Sequence, residues 1–254
     1  MILLILSGIL ILFIFLFCGD KGAKSIISTA MNALCLLAAL FAIHRGLPVL
    51  PVTLCLILLI TVITLFYQNE VSPQSKAAFL SVVLVVLVTV PLVLWFAAKA
   101  NSQGFNPEEY ELTDSNGYTR NIHLNMFQIQ VAVMLIALTG TVIDEAVAIT
   151  SSLAGILDNR PDLALPDLIA SGFQVSRAVL ATSIHTIFYI YAAEYMTLMI
   201  QYVSDNSFVY IINAQSLAGE LISVAMGGVG CCLIVPCATL LGSLFLTRAG
   251  ENGR

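Results

Sequence analysis

Seven apolar runs, each long enough to cross a bilayer, follow one another along the chain, separated by short polar breaks. The runs cover about 1–17, 25–43, 47–67, 77–98, 125–154, 174–202 and 217–246. About 20 residues at a 1.5 Å rise span a 30 Å hydrocarbon core, so each run predicts a membrane helix. Gly19-Asp20-Lys21-Gly22 breaks the first run from the second, and His44-Arg45-Gly46 forms a tight turn before the third. Pro48 and Pro51 fall in the first turn of the third run, where missing N–H groups cost least. Pro91 is expected to kink the fourth, and Trp95 occupies the place of an interfacial anchor. Leu165-Pro166-Asp167 reads as the start of a short interfacial helix leading to Gly172.

Residues 99–124 form the one sizeable polar loop. Around Asn116-Gly117 its residues alternate in a way that favours a small β-hairpin with a type I′ turn; a linker reads equally well. The chain is therefore expected to be an all-α polytopic protein with a single integral membrane domain, 1–254. Placing the N-terminus outside and the C-terminus in the cytoplasm puts Lys21, Lys24, Lys76, Arg160, Arg177, Arg248 and Arg254 inside. Only Arg45, Lys99 and Arg120 then lie outside, in keeping with the positive-inside rule.

Composition sharpens this picture. The chain is 59% hydrophobic and only 10% charged, where a soluble domain is nearer 25% charged. A net charge of −5 offers no basic patch for nucleic acid. Six cysteines lie in or at the ends of apolar runs without metal-ligand spacing, so they read as small apolar fillers, and neither metal nor cofactor is expected. The first run lacks a basic leader region and reads as a retained helix, with a cleaved signal as the alternative.

Ionisable residues within membrane runs cost several kcal/mol if they meet lipid, so they mark the place to look for function. Asp144 and Glu145 lie in the fifth run, His185 and Glu194 in the sixth, and Glu220 early in the seventh. Asp144 and His185 each lie about 12 Å from the inner ends of their antiparallel runs, on one level. Asp144 shares a helix face with Ala137, Gly140, Thr141, Ala148 and Ser151. His185 shares one with Ala178, Ala181, Thr182, Tyr189 and Ala192. Small and hydroxylated stripes let membrane helices approach and hydrogen-bond, so Asp144 is expected to point inward. Its contact with His185 is one reading; hydrogen bonds of each residue within its own helix are the other. Glu145, about a quarter-turn away, lines the same cavity or meets another helix or subunit. Two adjacent acids at this depth can both ionise only in contact with water or a cation. A proton or cation site is one reading, and a polar lock between helices the other.

A second polar layer, Glu194 and Glu220 with Tyr191, Tyr195 and Gln215, is expected near the outer face. Tyr195 is assigned instead to an aromatic belt. Gly227, Gly228 and Gly230 followed by Pro236 suggest a break in the seventh run, a device transporters use to bind substrates and ions; close packing explains the glycines as well. No His-Glu-x-x-His or Gly-x-Ser-x-Gly motif is present, and no second intramembrane Asp completes a dyad, so no enzyme is expected.

Across about 137–246, three blocks resemble the YibE/F family of bacterial membrane proteins. They are Gly140 to Leu153; Ser171-Gly172 with Arg177, Thr182 and Thr186; and Glu220 with Gly227, Gly230, Val235 and Pro236. The chain resembles the shorter, YibF-like member. That resemblance implies a multi-pass protein of the bacterial cytoplasmic membrane and a paralogous YibE-like partner, with a homo-oligomer as the other arrangement. It carries the family's intramembrane Asp onto Asp144, its basic residue onto Arg177 and its acid before the glycines onto Glu220. The chain departs from the pattern with Ala178, His185 and Ser223 at polar family positions, and with Glu145 at an apolar one. The site expected from all this comprises Asp144, Glu145, Ser151, Arg177, Thr182, His185, Thr186, Glu194 and Glu220. The function expected is that of a permease or permease subunit, proton- or cation-coupled, or else of a non-transporting scaffold in a membrane complex.

Overall fold

A computed structural model describes residues 2–99 and 125–252. Among these it is all helical, without strands: α1 (Ile2–His44), α2 (Val49–Val62), α3 (Pro73–Lys99), α4 (Met126–Asn159), α5 (Leu165–Asp205), α6 (Phe208–Ile212) and α7 (Gln215–Asn252). The hairpin expected within 99–124 lies outside the described residues.

Five helical stretches are long and apolar enough to cross a membrane: Ile5–His44, Val49–Gln68, Pro73–Lys99, Phe127–Asn159 and Leu217–Gly250. The first takes in both of the first two expected runs. Its helix bends at Gly19, whose φ of 52° and ψ of −133° suit a residue without a side chain. The bend is sharp enough that a Cβ on Gly22 would lie 2.7 Å from the Ile14 carbonyl oxygen. Helix α5 is amply long, but Thr182, Ser183, His185, Thr186 and Glu194 dilute its apolar character, and it is not among the five.

The centre of the bundle is α3, α4 and α7 packed on one another, with α5 against α7 and α4, and α2 against α4. Leu135, Leu138, Val142, Ala146, Ile149 and Leu153 recur on one face of α4 and are all buried, as helical periodicity requires. Glycines let α7 approach this face. A Cβ on Gly230 would come within 3.0 Å of Val142, and one on Gly242 within 2.8 Å of Leu153. Helix α7 runs unbroken past Gly227, Gly230 and Pro236, so the expected break is not formed; close packing accounts for Gly230, whereas a Cβ on Gly227 would make ordinary contact with Ile187 and one on Gly228 would meet nothing within 4 Å. Likewise α5 is continuous from Leu165, with no separate interfacial helix. Gly172 does not interrupt it but seats α5 against Leu153 and Thr239, each within 2.8 Å of an added Cβ. Beside it the buried hydroxyls of Ser176 and Thr239 meet at 3.0 Å.

Helix α1 packs mainly against α2 and the segment after it. That segment, Ile63–Gln68, widens into a π turn, which re-aims side chains and commonly accompanies functional sites. Its polar groups meet the second half of α1. Asn32 donates to Thr64 at 3.1 Å, Gln68 donates to Ser25 at 3.4 Å, and Lys24 pairs with Glu70 at 2.5 Å just beyond.

Candidate functional site

The apolar stripe of α4 decides which of its two adjacent acids enters the bundle. Successive residues turn by about 100°, which puts Asp144 opposite Val142 and Ala146, while Glu145 lies beside them. Glu145 is accordingly buried, at 1% exposure, and Asp144 is exposed. The inward placement expected of Asp144 is thus reversed; the small stripe Gly140–Asp144–Ser151 faces out of the chain.

Glu145 sits where α4, α5 and α7 converge. Ser183 of α5 and Cys231 of α7 face its carboxyl, and Thr141 faces the Cys231 thiol. Neither carboxyl oxygen meets the distance and angle of a hydrogen bond to any of these groups. The Thr141 hydroxyl is already committed, donating to the Leu138 carbonyl at 2.9 Å. Uncompensated burial of a carboxylate costs several kcal/mol. The chemistry open to such a group is to take up a proton or hold a cation.

The Glu145–Ser183 juxtaposition also sets the register of α4 against α5. His185 is close to the level of Asp144, as expected, but both are exposed and neither an ion pair nor a hydrogen bond joins them. The His185 ring instead stacks on Tyr189, with centroids 6.4 Å apart. Arg177, Thr182 and Thr186 are also exposed on α5, with Arg177 turned away from the two threonines. The two threonine hydroxyls satisfy themselves locally, Thr182 on the Val179 carbonyl at 2.7 Å and Thr186 on that of Thr182 at 2.9 Å.

Of the second polar layer, Glu194, Glu220, Tyr191 and Tyr195 lie near one another, while the side chain of Gln215 is outside the described residues. Glu194 and Glu220 both act on Tyr191, and the Tyr195 hydroxyl points at Glu220. Ser151 joins a feature that hydropathy does not announce, a cavity of about 190 Å³ between the middle of α1, the segment after α2, the start of α3, and α4. Lys21, Gln68, Glu70, Ser75 and Thr150 line it with Ser151. The only signal for it in the sequence is the dense polar segment Gln68–Lys76. Among the described residues no group of three His, Cys, Asp or Glu side chains could hold a metal.

Long apolar helices around an interior carboxyl define a polytopic helical membrane protein with a polar heart. The family model of YibE/F-like proteins matches residues 6–248, nearly the whole chain. The chain belongs to that family. No curated protein and no solved structure matches it.

Proposed function

We propose that the chain is a membrane permease, or one subunit of a permease, in which Glu145 binds the proton or cation that accompanies transport. The observation that supports this reading is a carboxyl 1% exposed, at a three-helix junction, with neither oxygen hydrogen-bonded. A group kept only for stability is normally satisfied. A group that alternates between loaded and empty states need not be satisfied in each. The outer cluster of Glu194, Glu220 and Tyr195 and the inner cavity beside Ser151 flank this position from opposite ends, on α5/α7 and on α1–α4. They suit entry and exit points.

In this reading the chain crosses the bacterial cytoplasmic membrane seven times, with the N-terminus outside. Helix α1 supplies two crossings on either side of Gly19, and α5 supplies the sixth. The chain works with a further membrane subunit, a YibE-like paralogue or another copy, and catalyses no covalent chemistry. The test is reconstitution into liposomes with a trapped pH-sensitive dye and a panel of solutes. Glu145→Gln is expected to abolish proton-linked flux while the protein remains folded. Unchanged flux in that variant would end the assignment.

One observation favours a second reading. The unbroken α7 lacks the unwound carbonyls with which many transporters hold ions. A non-transporting scaffold would need only the helix contacts, and Glu145→Gln would then alter assembly with no flux to lose.

A further inference from the structure

The exposed faces of α4 and α5 carry polar groups that lipid does not accept, and their arrangement is self-complementary. Within one chain Gly172 of α5 lies against Leu153 of α4, with Ser183 beside Glu145 two to three turns on, so the antiparallel helices are level where the two residue numbers sum to about 325–328. By that register Asp144 lies level with His185, Gly140 with Tyr189 and Ser151 with Ala178. Asp144, Gly140 and Ser151 are exposed on α4, and His185, Tyr189 and Ala178 on α5. A Cβ added at Gly140 would find no atom within 4 Å. In this single chain the glycine therefore has no neighbour to accommodate, and it leaves an open notch at the level of a protruding Tyr189.

We propose that this face docks a second copy of the same chain, α4 of each copy lying antiparallel against α5 of the other, with Asp144 of one meeting His185 of its twofold mate. A twofold axis along the membrane normal keeps both copies in the same orientation. It brings α4 and the partner's α5 together as antiparallel neighbours, as they are within one chain. The contact is isologous, so the Asp144–His185 pair forms twice across one interface. Small residues on α4 admit the aromatic ring of the facing α5, and the paired groups turn from lipid. Pairing α5 with α5 would instead leave Asp144 of each copy facing lipid, which argues for the crossed arrangement. The interface is independent of whether any solute crosses the membrane.

Cysteine crosslinking in membranes tests it. In a full-length background carrying Cys18→Ala, Cys55→Ala and Cys232→Ala, Gly140→Cys combined with Tyr189→Cys is expected to give a disulfide-linked band of twice the chain mass on mild oxidation. Leu84→Cys, exposed on α3, serves as the control outside the interface and is expected to give none. Gly140→Leu has no intrachain neighbour to displace, so it is expected to leave yield and melting unchanged while reducing the dimeric fraction counted by photobleaching in vesicles at least several-fold. A band only at another mass in native membranes would overturn self-pairing and assign the face to a different subunit. Equal crosslinking at Leu84, or an unchanged dimeric fraction in Gly140→Leu, would also overturn it.

Discussion

Replacing Glu145 by leucine should stabilise the folded chain. Glutamate and leucine are close in volume, and the site is closed, with Glu145 at 1% exposure and Cys231 at 0%. In the native chain both carboxyl oxygens are buried without hydrogen bonds. An unsatisfied buried polar group costs about 1–3 kcal/mol, and exchanging a buried charged group for a well-packed apolar one is often neutral or stabilising by up to about 4 kcal/mol. Leucine removes that cost and leaves little behind. Thr141 already bonds to the Leu138 carbonyl, Ser183 can turn back to its own helix, and a thiol tolerates apolar surroundings. The gain expected is therefore about 1–3 kcal/mol. For a chain of this length about 1 kcal/mol corresponds to about 2–4 °C in melting temperature, so a rise of at least a few degrees should be visible by thermal scanning in a mild detergent. Such a rise, together with loss of proton-linked flux, identifies a group retained for function against its effect on stability. A fall in melting temperature of similar size would refute the reasoning. It would mean that the carboxyl holds α4, α5 and α7 together and would return the site to the scaffold reading.

Two further predictions concern packing and pH. Gly172→Leu drives its side chain into Leu153 and Thr239 where even a Cβ would lie within 2.8 Å, so overpacking should cost about 1–3 kcal/mol. That cost should appear as a lowered melting temperature, and an unchanged one would show that α5 does not seat there. The Lys24 ammonium hydrogen-bonds to Glu70 and holds its carboxyl below the ordinary glutamate range. A carboxyl depressed in the folded state contributes stability above its unfolded value, about 4.3, and loses that contribution as pH falls through the lower folded value. The pair is exposed, so its contribution is small and screened by salt. Lys24→Gln should accordingly lower the melting temperature slightly at pH 7 in low salt, and the difference from the native chain should vanish on acidification well below pH 4. A difference that persists there would assign Lys24 another role.

Much of the architecture was legible because hydropathy and helix geometry act locally. The polar breaks at Gly19–Gly22 and His44–Gly46 mark where α1 bends and ends. The five-residue link from α4 to α5 makes those helices antiparallel, and counting residues from their ends places Asp144 and His185 on one level. Glu194 and Glu220 converge for the same reason. What depends on neighbouring helices was not legible. Gly172 and Pro236 are local helix breakers by propensity, yet α5 and α7 continue through them, packed on neighbouring helices. The π turn at Ile63–Gln68 answers to the polar face of α1, which no local pattern in α2 announces.

The pair Asp144–Glu145 shows why facing was the hardest thing to read. A stripe of small residues marks a helix–helix contact, but it does not say whether the second helix belongs to the same chain. The stripe through Gly140 and Asp144 reads as an interior face, whereas the larger apolar stripe from Leu135 to Leu153 is the face the bundle buries. Burial of apolar area is the stronger term, worth about 1.5–3 kcal/mol for each large side chain where water is the reference. Between helices already in lipid, packing density takes over as the driving force, and bulky residues opposite glycines provide it. Once that face turns inward, geometry allows only one of two adjacent acids to follow. Glu145 enters the chain's own interior, and Asp144 is left on a surface that a bilayer disfavours. Neighbouring acids so placed are free to divide two tasks: the proposed proton or cation binding falls to Glu145 within the chain, and the proposed recognition between chains to Asp144.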